Sequence, residues 1–221
     1  MSFCDEARAG ADDVWGALVE HPFVRGMADA TLPPESFRFY LTQNVQYLAE
    51  YARVLAIGLA KTTDETTLVR FSEAVTNITH VELPQNHALL EKVRELCTLP
   101  PEPVEEEPAP GLVAYSSWLL STAYRGGAID VLTAALPCAW SYGDIGRAHA
   151  PHLVMHPVYE NWIAFFASPE YDAMLQGLKA ELDARVARCD GPERQRLAGV
   201  FRTACLLERG FWDMAWNRAR F

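Results

Sequence analysis

Apolar residues in this chain recur at intervals of three and four almost from end to end, and no run alternates strictly between apolar and polar. Such spacing keeps one face of a helix apolar and leaves nothing to line a half-buried strand, so the fold class read from it is all-α. The expected helices run from about Phe3 to Val19, Pro34 to Lys61, Glu65 to Leu96, Gly111 to Arg125, Gly127 to His149, Val158 to Phe166, Pro169 to Cys189 and Pro192 to Ala219. Thr31, Asp64, Ser168 and Asp190 stand just before helix starts, where a side-chain oxygen can accept an orphan backbone N–H. Pro34, Pro169 and Pro192 suit first turns. An acidic, proline-dense stretch at about residues 99–110 can continue neither a helix nor a sheet and reads as an exposed loop. The helices on its two sides need one another's apolar faces, so residues 1–221 are expected to form a single domain, one helical bundle.

Charge and cysteine usage narrow the function. Nineteen basic against twenty-nine acidic residues give a net charge of −10, which repels a phosphate backbone, so no nucleic-acid partner is expected. The longest apolar runs, such as Val54 to Ala60, fall well short of the ~20 residues that cross a bilayer, and no membrane partner is expected. The acidic start Met1-Ser2-Phe3-Cys4-Asp5-Glu6 lacks the layout of a secretory signal, which points to the cytoplasm. Five scattered cysteines without a Cys-x-x-Cys pair read as free thiols and argue against a zinc site. None of His21, His80, His87, His149, His152 and His156 has a glutamate three residues earlier, so no metal site is expected. His21-Pro22 and His156-Pro157 read as turns at helix ends. No phosphate-cradling glycine loop or dinucleotide fingerprint occurs, and no cofactor is expected.

Three polar residues stand where apolar ones belong. Cys138, in Leu136-Pro137-Cys138-Ala139-Trp140-Ser141-Tyr142, shares a helical face with Tyr142, a thiol beside a phenol that can hold a proton or a substrate. An unpaired cysteine is equally at home as an inert core residue. Asn44 falls at the centre of the apolar face set by Tyr40, Tyr47, Leu48 and Tyr51, so its amide requires a partner, a neighbouring helix or a ligand. Glu208 lies among Ala204, Cys205, Phe211 and Trp212, about 120° from the polar stripe of its helix. A carboxyl there is ion-paired, hydrogen-bonded or held neutral by a raised pKa, and the last state is what a general acid or base near neutral pH needs. Tyr40, Tyr47, Tyr115, Trp118, Tyr159, Trp162 and Phe166 add an aromatic setting suited to a flat, nitrogen-rich ring.

In order and spacing, His21-Pro22-Phe23-Val24, Gln43-Asn44 with Tyr47-Leu48, Leu136-Pro137-Cys138 with Tyr142 and Gly146, His156-Pro157 with Tyr159 and Trp162, and Leu207-Glu208 with Phe211-Trp212 resemble the TenA family of thiaminase II enzymes, in the class with an active-site cysteine. The resemblance implies a haem-oxygenase-like helical bundle without haem, a homotetramer, and hydrolysis of an aminopyrimidine such as 4-amino-5-aminomethyl-2-methylpyrimidine, and of thiamin, in thiamin salvage. It implies Cys138 as nucleophile and Glu208 as proton shuttle, with Asn44, Tyr47, Tyr115, Tyr142 and Phe166 binding the small-molecule pyrimidine. The family usually has aspartate where this chain has Asn44, and tyrosine where it has Phe166. Phenylalanine keeps the stacking face, whereas Asn44 can bind an aminopyrimidine edge but cannot supply negative charge to a protonated ring. Two other readings remain beside this one: an oxidase or oxygenase on the same fold, and a pyrimidine-binding or regulatory protein.

Overall fold

The computed structural model describes residues 1–99 and 107–221. These form α1 (Phe3–Ala9), α2 (Asp12–Val19), α3 (Pro22–Ala28), α4 (Pro34–Lys61), α5 (Glu65–Asn77), a π-helical turn (Ile78–Glu82), α6 (Leu83–Leu96), α7 (Pro110–Arg125), α8 (Ala128–His149), a short 3-10 turn (Ala150–His152), α9 (Glu160–Phe166), α10 (Pro169–Val186) and α11 (Gly191–Asn217). No strand occurs among the described residues. Most of the acidic, proline-rich stretch expected to be a loop lies outside them. No described helix is long and apolar enough to cross a membrane.

The helix starts follow local chemistry. Asp64 accepts from Thr67 N at 3.0 Å, Ser168 from Tyr171 N at 3.2 Å and Asp190 from Glu193 N at 2.9 Å. Thr31 does not cap α4; Pro33 precedes that helix with no side-chain bond. The helix expected from Phe3 to Val19 breaks at Gly10 and Ala11, where the Gly10 N–H closes α1 on Glu6 O and the chain restarts at Asp12. That break lets α1 pack on α10 and α11 while α2 reaches α8. Helix α3 goes beyond the expected set. His21 starts it, with Nδ1 accepting from Phe23 N at 3.1 Å and Nε2 standing 3.2 Å from Asp213 Oδ1 of α11.

Helices α4, α7, α8 and α11 pack on one another around a single cluster of buried apolar residues. On one face of α8, Trp140 meets Trp15 edge-on at 5.3 Å, and Trp15 stacks on Phe201 of α11 at 6.0 Å. Such ring pairs contribute about 0.5–1.5 kcal/mol each beyond their burial. The opposite face of α8 carries Cys138 and Tyr142, half a turn round from Trp140. A Cβ on Gly146 would lie 2.5 Å from the Phe166 carbonyl carbon, so only glycine lets α9 come this close to α8. That approach sets Phe166 against Tyr142, ring centroids 4.8 Å apart.

Candidate active site

Asn44, Tyr47 and Tyr51 of α4, Glu82 of the π-helical turn, Cys138 and Tyr142 of α8, Phe166 of α9 and Tyr171 of α10 line an internal cavity. It offers about 50 Å³ to the centres of water-sized molecules, room for several waters or part of a flat ring. Pro137, inside α8, leaves one helical hydrogen bond unmade beside Cys138. Tyr115 and Glu208 do not line the cavity. They stand behind its wall, Tyr115 stacked on Tyr47 at 5.1 Å and Glu208 beside Cys138 and Tyr115. Asn44, Tyr47, Tyr115, Cys138, Tyr142, Phe166 and Glu208 therefore converge on one place, whereas Trp118 lines a separate surface hollow and the Tyr159 hydroxyl is held by Leu32 O.

Burial governs the ionisation of this group. Glu208, 1% exposed, is pushed up to about 7, chiefly by desolvation, with hydrogen bonding from Tyr115 and Cys138 working the other way. The Cys138 thiol is pushed well above its ordinary value by burial and then by the neighbouring Glu208 charge. Tyr47 acts in the opposite sense on Cys138, as a phenol donating to sulfur does. Yet Tyr47 Oη, Tyr115 Oη, Glu208 Oε2 and Trp212 Nε1 are buried with no partner in good hydrogen-bond geometry. Thiol, phenols and carboxyl are thus close enough to shift one another's protons while their bonds are not closed.

The amide side is closed. Asn44 Nδ2 donates to Asn86 Oδ1 at 3.0 Å, and Asn86 Nδ2 donates to the Glu82 carbonyl at 2.8 Å. Because the backbone carbonyl only accepts, the direction of both bonds is fixed, and Asn44 Oδ1 remains an acceptor. Tyr142 is held from behind: its hydroxyl is 3.2 Å from that of Tyr40, which accepts from Trp162 Nε1 at 3.3 Å. Tyr51 and Tyr171 donate to the carbonyls of Ala135 and Ala139 at 2.9 and 3.0 Å, which fixes their rings as walls.

The model of the TENA/THI-4/PQQC family matches residues 8–218. The chain belongs to that family. Like other TENA/THI-4/PQQC proteins it has curated relatives, among them the aminopyrimidine aminohydrolase of Halalkalibacterium halodurans, 35% identical over 98% of this chain and 96% of that one. The solved TenA homologue from P. horikoshii superposes with a TM-score of 0.86 at 30% identity, covering 98% of this chain and 99% of that one. A domain of unknown function with a haem-oxygenase-like fold from Shewanella denitrificans matches with a TM-score of 0.71 at 12% identity, covering 97% and 92%. The haem-oxygenase-like, all-α fold expected from the sequence is the one observed.

Glu82, Asn86 and Asn77 are the polar residues of this family member's site that the sequence reading missed. All lie on the stretch expected to be one regular helix from Glu65 to Leu96, where angular bookkeeping at about 100° per residue fails across the π-helical turn. The available signal was Pro84 inside a helical pattern, which marks a local change of geometry.

Proposed function

We propose that the protein hydrolyses an aminopyrimidine of the 4-amino-5-aminomethyl-2-methylpyrimidine type to its hydroxymethyl form and ammonia, and accepts thiamin as a two-ring variant, within thiamin salvage. One observation carries this reading: Cys138 and Glu208 adjoin at a buried, aromatic-walled cavity, with the carboxyl poised near neutrality. As the sulfur adds to the ring carbon next to the arm-bearing carbon, its proton passes to Glu208 and the ring electron pair shifts to a ring nitrogen. That pair returns to expel the amine from the exocyclic carbon, and the amine, its ammonium proton already lost to solvent, takes up the Glu208 proton and leaves as ammonia. Water then adds at the exocyclic carbon, giving a proton to Glu208, and the sulfur departs as thiolate with the ring restored, taking the proton back from Glu208 so that thiol and carboxylate are regenerated. Asn44 Oδ1 accepts from the ring's amino group, Phe166 and Tyr142 hold the ring faces, and Tyr47 and Tyr115 donate to sulfur and carboxylate as charge develops.

The family-level similarity to an aminopyrimidine aminohydrolase supports the substrate class. Five free thiols suit a reducing cytoplasm, and a homotetramer is the assembly implied by the resemblance. Ammonia release from the aminomethylpyrimidine by the purified chain tests the reading; binding without turnover would convert it to the pyrimidine-binding alternative. Sedimentation measures the assembly.

A further inference from the structure

Beyond the cavity lies a second hollow lined by Gln85, Asn86, Lys92, Asn161 and Phe165, and two residues line both spaces: Phe166 and Glu82. Among the described residues, Glu82 is the carboxyl in the wall of the inner cavity. Its placement is a product of the π-helical turn. In an α-helix, residues five apart are about 140° apart round the axis, whereas a π turn brings them onto one side. Asn77, five residues before Glu82, accordingly donates Nδ2 to Glu82 Oε1 at 2.8 Å. The main chain of Glu82 is anchored as well, since its carbonyl accepts from Asn86, the residue that orients Asn44.

Among the described residues, this well-held carboxyl has no cation. Burial raises it to about 7, the Asn77 bond offsets part of that, and no lysine, arginine or histidine acts on it. Its charge also acts on Cys138, pushing the thiol upward across the cavity. A positive group bound between them would relieve both the desolvated carboxylate and the opposition to thiolate formation.

We propose that Glu82 is the cation-recognition residue of this cavity, accepting from the charged exocyclic arm of the substrate, so that the site selects pyrimidines with a cationic arm over neutral ones of the same shape. The proposal rests on the aminopyrimidine reading above. It assigns negative charge to the wall that carries Asn44, an amide with none to give.

The test uses the full chain carrying Cys138→Ser, to prevent turnover, with and without Glu82→Gln. Calorimetry measures its affinity for the cationic aminomethylpyrimidine and the neutral hydroxymethylpyrimidine. The parent is expected to bind the cation about tenfold or more tightly than the neutral ring, as a charge-assisted bond implies. Glu82→Gln is expected to abolish that preference while holding the neutral ligand within about twofold, which also certifies its fold. If Glu82→Gln binds neither ligand, Glu82→Asp takes its place and is expected to retain a reduced preference. A preference that survives Glu82→Gln, or is absent in Glu82→Asp, overturns the proposal. A parent that binds both pyrimidines alike overturns the role of Glu82 alone; a parent that binds neither, with no ammonia released from the aminomethylpyrimidine by the unsubstituted chain, overturns the aminopyrimidine reading with it.

Discussion

Asn44 and Tyr47 stand one turn apart on α4 and face one cavity, yet their polar atoms live in opposite conditions. Asn44 belongs to a closed chain in which Asn86 accepts from it and donates to the Glu82 carbonyl. Tyr47 belongs to a group with Tyr115, Glu208 and Trp212 whose polar atoms are buried without well-formed bonds. Each such orphan costs about 1–3 kcal/mol. The closed side fixes one pattern of donors and acceptors and suits recognition. The open side holds groups whose partners arrive with a ligand or with a migrating proton, and suits chemistry.

Substitutions on the two sides should therefore diverge. The largest effect is expected from Cys138→Ser: kcat/KM for the aminomethylpyrimidine should fall by about 10³-fold or more while calorimetry still detects ligand. Loss of binding together with turnover would place the cysteine on the recognition side. Glu208→Gln should lower kcat by about 10²–10⁴-fold. It should also make the protein more stable at pH 8, by about 2–3 kcal/mol in denaturant titration. The sign follows from the raised carboxyl: between the unfolded value of 4.5 and the folded value of about 7 the native state binds the extra proton, so stability declines as pH rises through that window. Glu208→Gln removes the decline.

The same titration should appear in catalysis. With the carboxylate required to take the thiol proton, kcat/KM of the parent should drop as pH falls below about 7. A profile flat from pH 5 to 8 would deny Glu208 that role. On the recognition side, Asn44→Asp brings a carboxylate against Asn86 Oδ1 unless the Asn86 amide turns over and gives up its bond to the Glu82 carbonyl. Turnover of the aminomethylpyrimidine is expected to rise by up to about tenfold, since the new charge supports a protonated ring, with a stability loss of about 1 kcal/mol. Unchanged or lower kcat/KM would mean that Asn44 is not the ring's partner. The smallest and sharpest contrast is in stability alone. Asn86→Leu orphans the Asn44 amide and should cost about 1–3 kcal/mol, whereas Tyr115→Phe removes a hydroxyl with no well-formed bond, set loosely against Glu208, and should cost nothing or stabilise. Equal losses in the two would erase the distinction between the sides.

Much of this was legible before any coordinates. Long helices declare themselves by apolar period, and Asn44 and Glu208 declare themselves by breaking it, so α4, α8 and α11 and their odd residues were placed by elementary geometry. The division of α1 from α2 was not, because Gly10 is tolerated inside many helices and only packing against α10 and α11 decides that it ends one. Helix α3 is seven residues long and too short to show a period. That Glu208 and Tyr115 lie behind the wall rather than in it depends on depth, which a helical wheel does not contain. Glu82 was hidden for a different reason: it sits where the period itself changes.

That surplus residue has an evolutionary corollary. A π turn takes up one residue more than an α turn, so removing one position between Asn77 and Leu83 would let the turn relax to ordinary helix with α6 facing as it does now. Regularising the turn at constant length would instead swing everything on α6 by about 100° relative to α5. Asn86 would then lose Asn44, and the Glu82 carboxyl would leave its seat, although every amino acid now touching the ligand space was still encoded. Selectivity in this molecule is kept partly in the local winding of a segment, so a change that regularises the turn at constant length could retune it without altering any contact residue by name.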